Sequence, residues 1–252
     1  MPKVKIYVDM LSQPSRAVLL FCRLNKIDIE VNMIHLDHGD HYQQENLLMN
    51  PLAQVPWMDD DGFILAESHS IMRYLAATKK GVPDHWYPSN QQRRARVNSA
   101  LDWELSTLRR GCTELVLSKV LGPIYGISVP DKTEKYSREI LKKSLGLLED
   151  YWLNGPGRFI AGECAPTIAD LSLVCELKQL DLMDVEERSE IVDKYKRVQK
   201  WMAEVEQELG PHFEDVHKVH YVVAARAQAG REEMPESERH ARQSILECLT
   251  PA

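Results

Sequence analysis

An α/β domain over residues 1–80, followed by an all-helical domain over residues 90–226, is the fold class this sequence predicts. Three observations predict it. Val4-Lys-Ile-Tyr-Val8 and Ile29-Glu-Val-Asn-Met-Ile34 alternate in the β-rich manner of strands, with an apolar helical run between them from Arg16 to Leu24. Asp61-Gly62 stands between two short apolar runs, the local signal of a hairpin. Beyond residue 89 every segment carries helical spacing of its apolar residues.

Each element follows from its residues. Strand, helix, strand implies a right-handed crossover and parallel pairing. Leu11-Ser-Gln-Pro-Ser15 ends the first strand, and Pro14 fits the first turn of a helix that buries Val18, Leu19, Phe21 and Cys22. His41 to Leu48 reads as a short helix. Pro56 cannot donate to a ladder, so it fits only the first position of its strand. An X-Pro bond there can be cis, which turns the backbone after Val55 and leaves its amide and carbonyl outward, free to pair with something extended. Ser68 stands where a helix begins, with Ile71, Met72 and Leu75 as its apolar face. The resulting βαβαββα order is thioredoxin-like and ends near Lys80.

Residues 81–89, rich in turn formers and containing two prolines, read as a linker. Gln91 to Val120 reads as one long helix, with Val97, Leu101, Leu105 and Leu108 on one face. Thr133 to Trp152 reads as the next, ended by Gly155-Pro-Gly157, and Phe159-Ile-Ala-Gly162 as a short apolar return. Thr167-Ile-Ala-Asp170 is a capping-box pattern with Asp in place of the usual Glu or Gln. Val185 to Leu209 gives two helical stretches and Phe213 to Arg226 another. Gly, Pro and charge dominate residues 227–252, which reads as a mobile tail.

Composition narrows the function. In 252 residues, 44% apolar and 27% charged, the ordinary soluble balance holds, and the net charge of −7 argues against a nucleic-acid or membrane surface. No apolar run approaches the ~18 residues of a membrane span. The N-terminus reads as a strand rather than a signal peptide. Five scattered cysteines without a Cys-x-x-Cys disfavour a disulfide framework, a zinc site and a dithiol, and point to a reducing, cytoplasmic setting. His35, His38 and His41 straddle a strand end and a loop without a catalytic metal frame, so no metal is expected. Arg93, Arg94 and Arg96 lack interleaved aromatics, which favours a solvated face or a dimer contact.

The stretch from Asn50 to Tyr74 thus supplies an edge that can pair with a peptide, beside a helix N-terminus whose free amides and dipole suit a carboxylate. Asn50-Pro-Leu-Ala-Gln-Val55-Pro56 followed by Glu67-Ser68 resembles the glutathione site of the soluble glutathione transferases. Leu11-Ser-Gln-Pro-Ser-Arg-Ala-Val18, Asp84-His-Trp-Tyr-Pro88 and the segment from Trp103 to Arg110 resemble the theta class, plant members in particular. The resemblance covers roughly residues 3–222.

What the resemblance implies is specific. Val55 pairs with the cysteinyl backbone of glutathione across a cis Pro56, and Glu67 and Ser68 bind the γ-glutamyl carboxylate. Gln13, His41 and Gln54 contact the tripeptide, with Gln54 standing where many relatives carry Lys. Arg109 lies near the electrophile. Ser12 donates its hydroxyl to the glutathione sulfur. A free thiol has a pKa of about 8.5, and a hydrogen bond to a charged group is worth about 1.5–3 kcal/mol, hence about one to two pKa units. Capping of the first helix is the simpler role for Ser12, and Ser15 and Tyr7 are rival hydroxyls.

The implied activity is detoxifying thiolate attack on an electrophile, or reduction of an organic hydroperoxide. Glutathione serves as cosubstrate with no further cofactor. The implied partners are a small hydrophobic electrophile or hydroperoxide and a second copy in a homodimer. A non-catalytic ligand carrier or scaffold of the same fold is the alternative. A glutaredoxin-like thiol transferase needs Cys at position 12, and Cys22 lies too far along the helix.

Overall fold

Val4, Ile6 and Val8 are buried and alternate with more exposed neighbours, so β1 (Val4–Val8) turns one face to a core. The computed structural model describes residues 3–125 and 128–228. Strand β1 pairs in parallel with β2 (Ile29–Met33), from Val4↔Ile29 to Val8↔Met33. On its other side it runs antiparallel to β3 (Trp57–Asp60), which pairs with β4 (Phe63–Ala66) through the hairpin at Asp61-Gly62. The sheet order is β2-β1-β3-β4.

Helix α1 (Gln13–Leu24) is capped by Ser12, with Pro14 in its first turn, and is buried from Ser15 to Cys22. The short helix expected at His41–Leu48 is divided. A 3-10 turn at Asp40–Tyr42 gives way to α2 (Gln44–Met49) across Gln43, which is extended at φ −63° and ψ 140°, and Gly39, left-handed at φ 75°, separates that turn from another at Leu36–His38. Helix α3 (Ser68–Thr78) closes the α/β part.

The helical part corrects one expectation. The run from Gln91 to Val120 is not one helix. It splits into α4 (Gln91–Ser106) and α5 (Leu108–Val116), then a π turn at Leu117–Leu121 and α6 (Gly122–Tyr125). Thr107 sits at the break with φ −129° and ψ −81°, and its hydroxyl donates back to the Trp103 carbonyl. A threonine hydroxyl that takes the i−4 carbonyl bends helices, and the apolar spacing gives no sign of it. Helix α7 (Asp131–Leu147) continues as a π turn to Trp152. Helices α5 and α7 approach closely at Gly111, where a Cβ would stand 2.8 Å from the Leu141 backbone.

At the centre lies α8 (Ile168–Lys178), buried on every face from Ile168 to Leu177. Its capping box forms as expected: Ala169 N donates to Thr167 Oγ1 at 3.2 Å and Thr167 N to Asp170 Oδ2 at 2.8 Å. Around it lie α9 (Val185–Val192), α10 (Lys196–Leu209) and α11 (Pro211–Gln228). The tail expected at 227–252 falls, from residue 229, outside the described residues. No helix among the described residues is long and apolar enough to cross a membrane.

Candidate functional site

The loop from β1 to α1 is fixed at both ends before any ligand is considered. Asp9, 8% exposed, accepts from Leu11 N at 2.7 Å and from Leu36 N at 3.0 Å, and its carbonyl accepts from Ser12 N at 3.1 Å. Arg16 is fully buried and donates to the carbonyls of Met10 and Leu11 at 3.0 Å each. Its other nitrogen reaches the Cys175 carbonyl at 3.3 Å and Gln179 Oε1 at 3.0 Å. So the loop carrying Ser12 is clamped onto α8 and the turn that follows it.

A cavity of about 800 Å³ opens over that loop. Ser12, Gln13, His41, Gln54, Val55 and Arg109 all line it. Val116, Leu117, Leu121, Val219 and Val223 form its opposite, apolar wall. A second pocket of about 210 Å³ adjoins it, sharing Gln54, Val55 and Arg109 and adding Pro56, Glu67 and Ser68. Every residue singled out in the sequence for glutathione is therefore at one of two adjacent cavities.

Individual geometries sharpen the roles. Ser12 Oγ accepts from Ser15 N at 3.4 Å, the helix cap, and a hydroxyl that accepts retains its own proton for donation. Gln13 Nε2 donates to Thr113 Oγ1 at 3.3 Å, which ties its side chain to α5. The Val55–Pro56 peptide is cis. Ser68 is the first residue of α3 rather than its cap. Glu67 holds the cap position at φ 71° and ψ 111°, without a capping side-chain bond. A non-glycine residue there stores on the order of 1–3 kcal/mol of strain, a cost found where a fixed side chain serves a ligand. Burial lowers the pKa of His41, whose Nδ1 has no hydrogen-bond partner among the described residues.

The rival hydroxyls stand elsewhere. Ser15 is fully buried, its Oγ accepting from Asp9 N at 3.4 Å. The Tyr7 ring stacks on Trp57 with centroids 4.8 Å apart, on the sheet. Neither lines the two cavities. Of the three spaced histidines, His35 and His38 meet Asp37 with ligand atoms within 4.8 Å, all three exposed, and His41 stands apart from that group.

Charge below the cavities was not foreseen. Arg109 pairs with Glu176, which is 1% exposed, and the Glu176 and Glu104 carboxylates raise the guanidinium pKa. Glu104, also 1% exposed, accepts from Ser172 Oγ at 2.9 Å.

Sequence models of the glutathione S-transferase N-terminal and C-terminal domains match residues 6–98 and 90–204. The chain is 40% identical over 232 residues to glutathione S-transferase T1 of Arabidopsis thaliana, covering 92% of this chain and 95% of that relative. It belongs to the glutathione S-transferase family, in the theta class. It is also 39% identical to Arabidopsis thaliana glutathione S-transferase T3 over 98% of its own length, and spans 42% of that longer relative. The human theta-class enzyme in complex with the glutathione conjugate of 1-menaphthyl sulfate superposes with a TM-score of 0.84 at 33% identity, over 97% of each chain.

Sequence reading on this theta-class chain missed Arg16, Glu104 and Glu176. A signal was present for two of them. Arg16 opens an otherwise apolar run and Glu176 interrupts Leu171-Ser-Leu-Val-Cys175 before Leu177, and an ion in such a run is buried and must be paired. Glu104 follows Trp103 in a mixed stretch that gives no such sign.

Proposed function

We propose that this chain is a glutathione transferase in which the Ser12 hydroxyl holds the glutathione sulfur as its thiolate. The observation that carries the reading is the position of the Ser12 hydroxyl. Its oxygen accepts the helix-cap bond from Ser15 N, its own hydrogen is not spent on that bond, and it lines the larger cavity. Accepting one bond polarises the O–H and strengthens its donation to a sulfur anion. The thiol proton leaves to solvent, and the sulfur attacks an electrophile lying against Val116, Leu117, Leu121, Val219 and Val223. The same thiolate can attack the outer hydroperoxide oxygen, breaking the O–O bond and releasing the alcohol as the sulfur becomes a sulfenic acid. The thiol of a second glutathione then displaces water from that sulfur to give the disulfide.

Within this reading, Val55 pairs with the cysteinyl backbone, Gln54 and His41 reach the tripeptide, and the pocket of Glu67 and Ser68 takes the γ-glutamyl end. The ion pair of Arg109 with Glu176 gives a fixed positive group between the two cavities, suited to an anionic leaving group. The glutathione conjugate held by the human theta-class enzyme supports an aromatic electrophile at such an apolar wall. The four described cysteines are unpaired, which supports a reducing, cytoplasmic setting. The functional unit is a homodimer, and a monomer in sedimentation at micromolar concentration would remove that part.

The test is a glutathione-dependent assay with organic halides and hydroperoxides on wild type and Ser12→Ala. The loss of a bond worth about 1.5–3 kcal/mol predicts about a tenfold to hundredfold fall in turnover at unchanged fold. Equal turnover and equal thiolate absorbance in the two proteins would refute the assignment. Glutathione binding without turnover on any substrate would select the carrier alternative.

A further inference from the structure

We propose that His35, Asp37 and His38 bind one divalent transition-metal ion at the rim of the larger cavity. Their ligand atoms all lie within 4.8 Å of one another, and His38 Nε2 stands 3.8 Å from Asp37 Oδ2. Tetrahedral zinc holds imidazole and carboxylate atoms at about 2.0–2.2 Å, which sets the ligand atoms about 3.4 Å apart. The separations must therefore close by at most about 1.4 Å. Side-chain rotation supplies that, because all three residues are exposed.

The backbone brings the three together. Leu36–His38 is a 3-10 turn with His35 at its N-cap. Side chains three residues apart eclipse in such a turn, so His35 and His38 fall on one face, their ring centroids 5.2 Å apart. The turn is fastened without any ion. His38 N and Asp40 N donate to the His35 carbonyl at 3.1 and 3.2 Å, and Gly39 N to the Leu36 carbonyl at 3.2 Å. His35 N donates to Asp40 Oδ2 at 2.9 Å and Leu36 N to Asp9 Oδ2 at 3.0 Å. His41, at the same spacing of three, lies beyond the left-handed Gly39 and stands apart, so the third ligand is Asp37.

The charges nearby leave this cluster to a cation. No lysine or arginine occurs between Lys26 and Arg73 in the sequence. Among the described residues Asp37 has no lysine or arginine within ion-pair distance, and its charged contact is with His38. Two imidazoles and one carboxylate suit zinc, copper or nickel rather than magnesium or calcium, which take oxygen ligands. Three protein ligands leave a fourth tetrahedral position to water or another small ligand, the pattern of an open site rather than a structural one. His35 and Asp37 also line the larger cavity, which places the ion at its rim.

Calorimetric titration of the metal-free full chain with zinc alone tests this, without glutathione, whose thiol would compete for the ion. Wild type should take up one tight equivalent of zinc and no magnesium at the same concentrations, and zinc should raise its melting temperature. Loss of a group that only orients a ligand costs about tenfold to a hundredfold in metal affinity. His35→Ala and His38→Ala each remove a ligand itself, so each should weaken zinc by more than about tenfold. Asp37→Asn should weaken it too. His35→Gln and His38→Gln, which keep the bulk and polarity of the side chains, should lose zinc as the alanine variants do. The metal-free melting temperature should stay the same in all five, because these side chains are exposed. His41→Ala, Cys164→Ser and the double variant His240→Ala, Cys248→Ser should bind zinc as wild type does. No zinc uptake by wild type, undiminished affinity in His35→Ala or His38→Ala, or a loss confined to one of the last three variants would each overturn the assignment.

Discussion

Two acids on helix α8, Asp170 and Glu176, are equally hidden and differently used. Asp170 accepts from Ile160 N at 2.9 Å, Thr167 N at 2.8 Å, Thr167 Oγ1 at 3.0 Å and Trp201 Nε1 at 2.8 Å. Glu176 accepts from Arg109 on Oε1, and its Oε2 has no partner among the described residues. Burial pushes the Asp170 carboxyl up to about 6 against the pull of those donors, and pushes Glu176 up to about 7 against the pull of Arg109. The difference teaches how to sort buried polar groups in this chain. An acid whose lone pairs are filled by backbone and indole is part of the fold, and one left short, next to a cation that lines the cavities, belongs to the site.

Asp170→Ala gives the largest expected effect on stability. It strands the Ile160 and Thr167 amides and the Trp201 indole N–H in the core, each costing about 1–3 kcal/mol, so about 3–9 kcal/mol in all. That exceeds the roughly 0.5–2 kcal/mol of an N-cap alone, because the side chain also holds the return loop and α10. The melting temperature should fall steeply while the folded fraction binds glutathione with unchanged affinity. A variant that melts normally and has lost glutathione would erase the contrast.

Glu176→Gln sharpens the other side of it. The Glu176 carboxyl stands at about 7 in the fold against an ordinary value of 4.5. The folded state therefore holds this proton more tightly than the unfolded chain, so its contribution is full below pH 4.5 and is lost as pH rises through about 7. At 1.36 kcal/mol per pKa unit the span is on the order of 3 kcal/mol. Denaturant midpoints measured across that window should fall with pH in wild type and fall less in Glu176→Gln. Asp170, raised from 3.8 to about 6, contributes a slope of the same sign in both proteins, so the difference between the two curves isolates Glu176. Parallel curves would mean that Arg109 neutralises the acid fully.

The legibility of these features in the sequence follows their range. The succession of strands and helices, the proline at position 56 that can take a cis bond, the start of α3 and the capping box rest on neighbours within a few residues, and all are visible in the spacing. Ser12 stands out at the strand-to-helix junction, and Gln13 beside it follows from the resemblance. Arg16 with Gln179, Arg109 with Glu176 and Ser172 with Glu104 join residues far apart in sequence, which no local pattern encodes. The break at Thr107 escaped notice for the opposite reason, since one hydroxyl bond made it while the apolar spacing ran straight through. Glu67 in place of Ser68 at the cap position is a difference of one residue, set by a backbone angle the sequence does not announce.

The smallest expected effect lies at the rim, and it marks where the rule for buried groups stops. Gln54 is exposed, lines both cavities, and is held in place by its own carbonyl, which accepts from Asn50 Nδ2 at 2.7 Å. Gln54→Lys adds a cation where a glycyl carboxylate would lie, in water and without desolvation. Exposed ion pairs are worth about 0.2–1 kcal/mol, so glutathione affinity should rise by no more than about fivefold. Because the Debye length shrinks to about 3 Å at 1 M salt, that gain should vanish at high ionic strength. Melting temperature should not move, since it does not rest on the rim. A gain above about tenfold, or one that persists in high salt, would show that the ligand closes the rim against water. Gln54 would then belong with Glu104 and Glu176 among the desolvated groups.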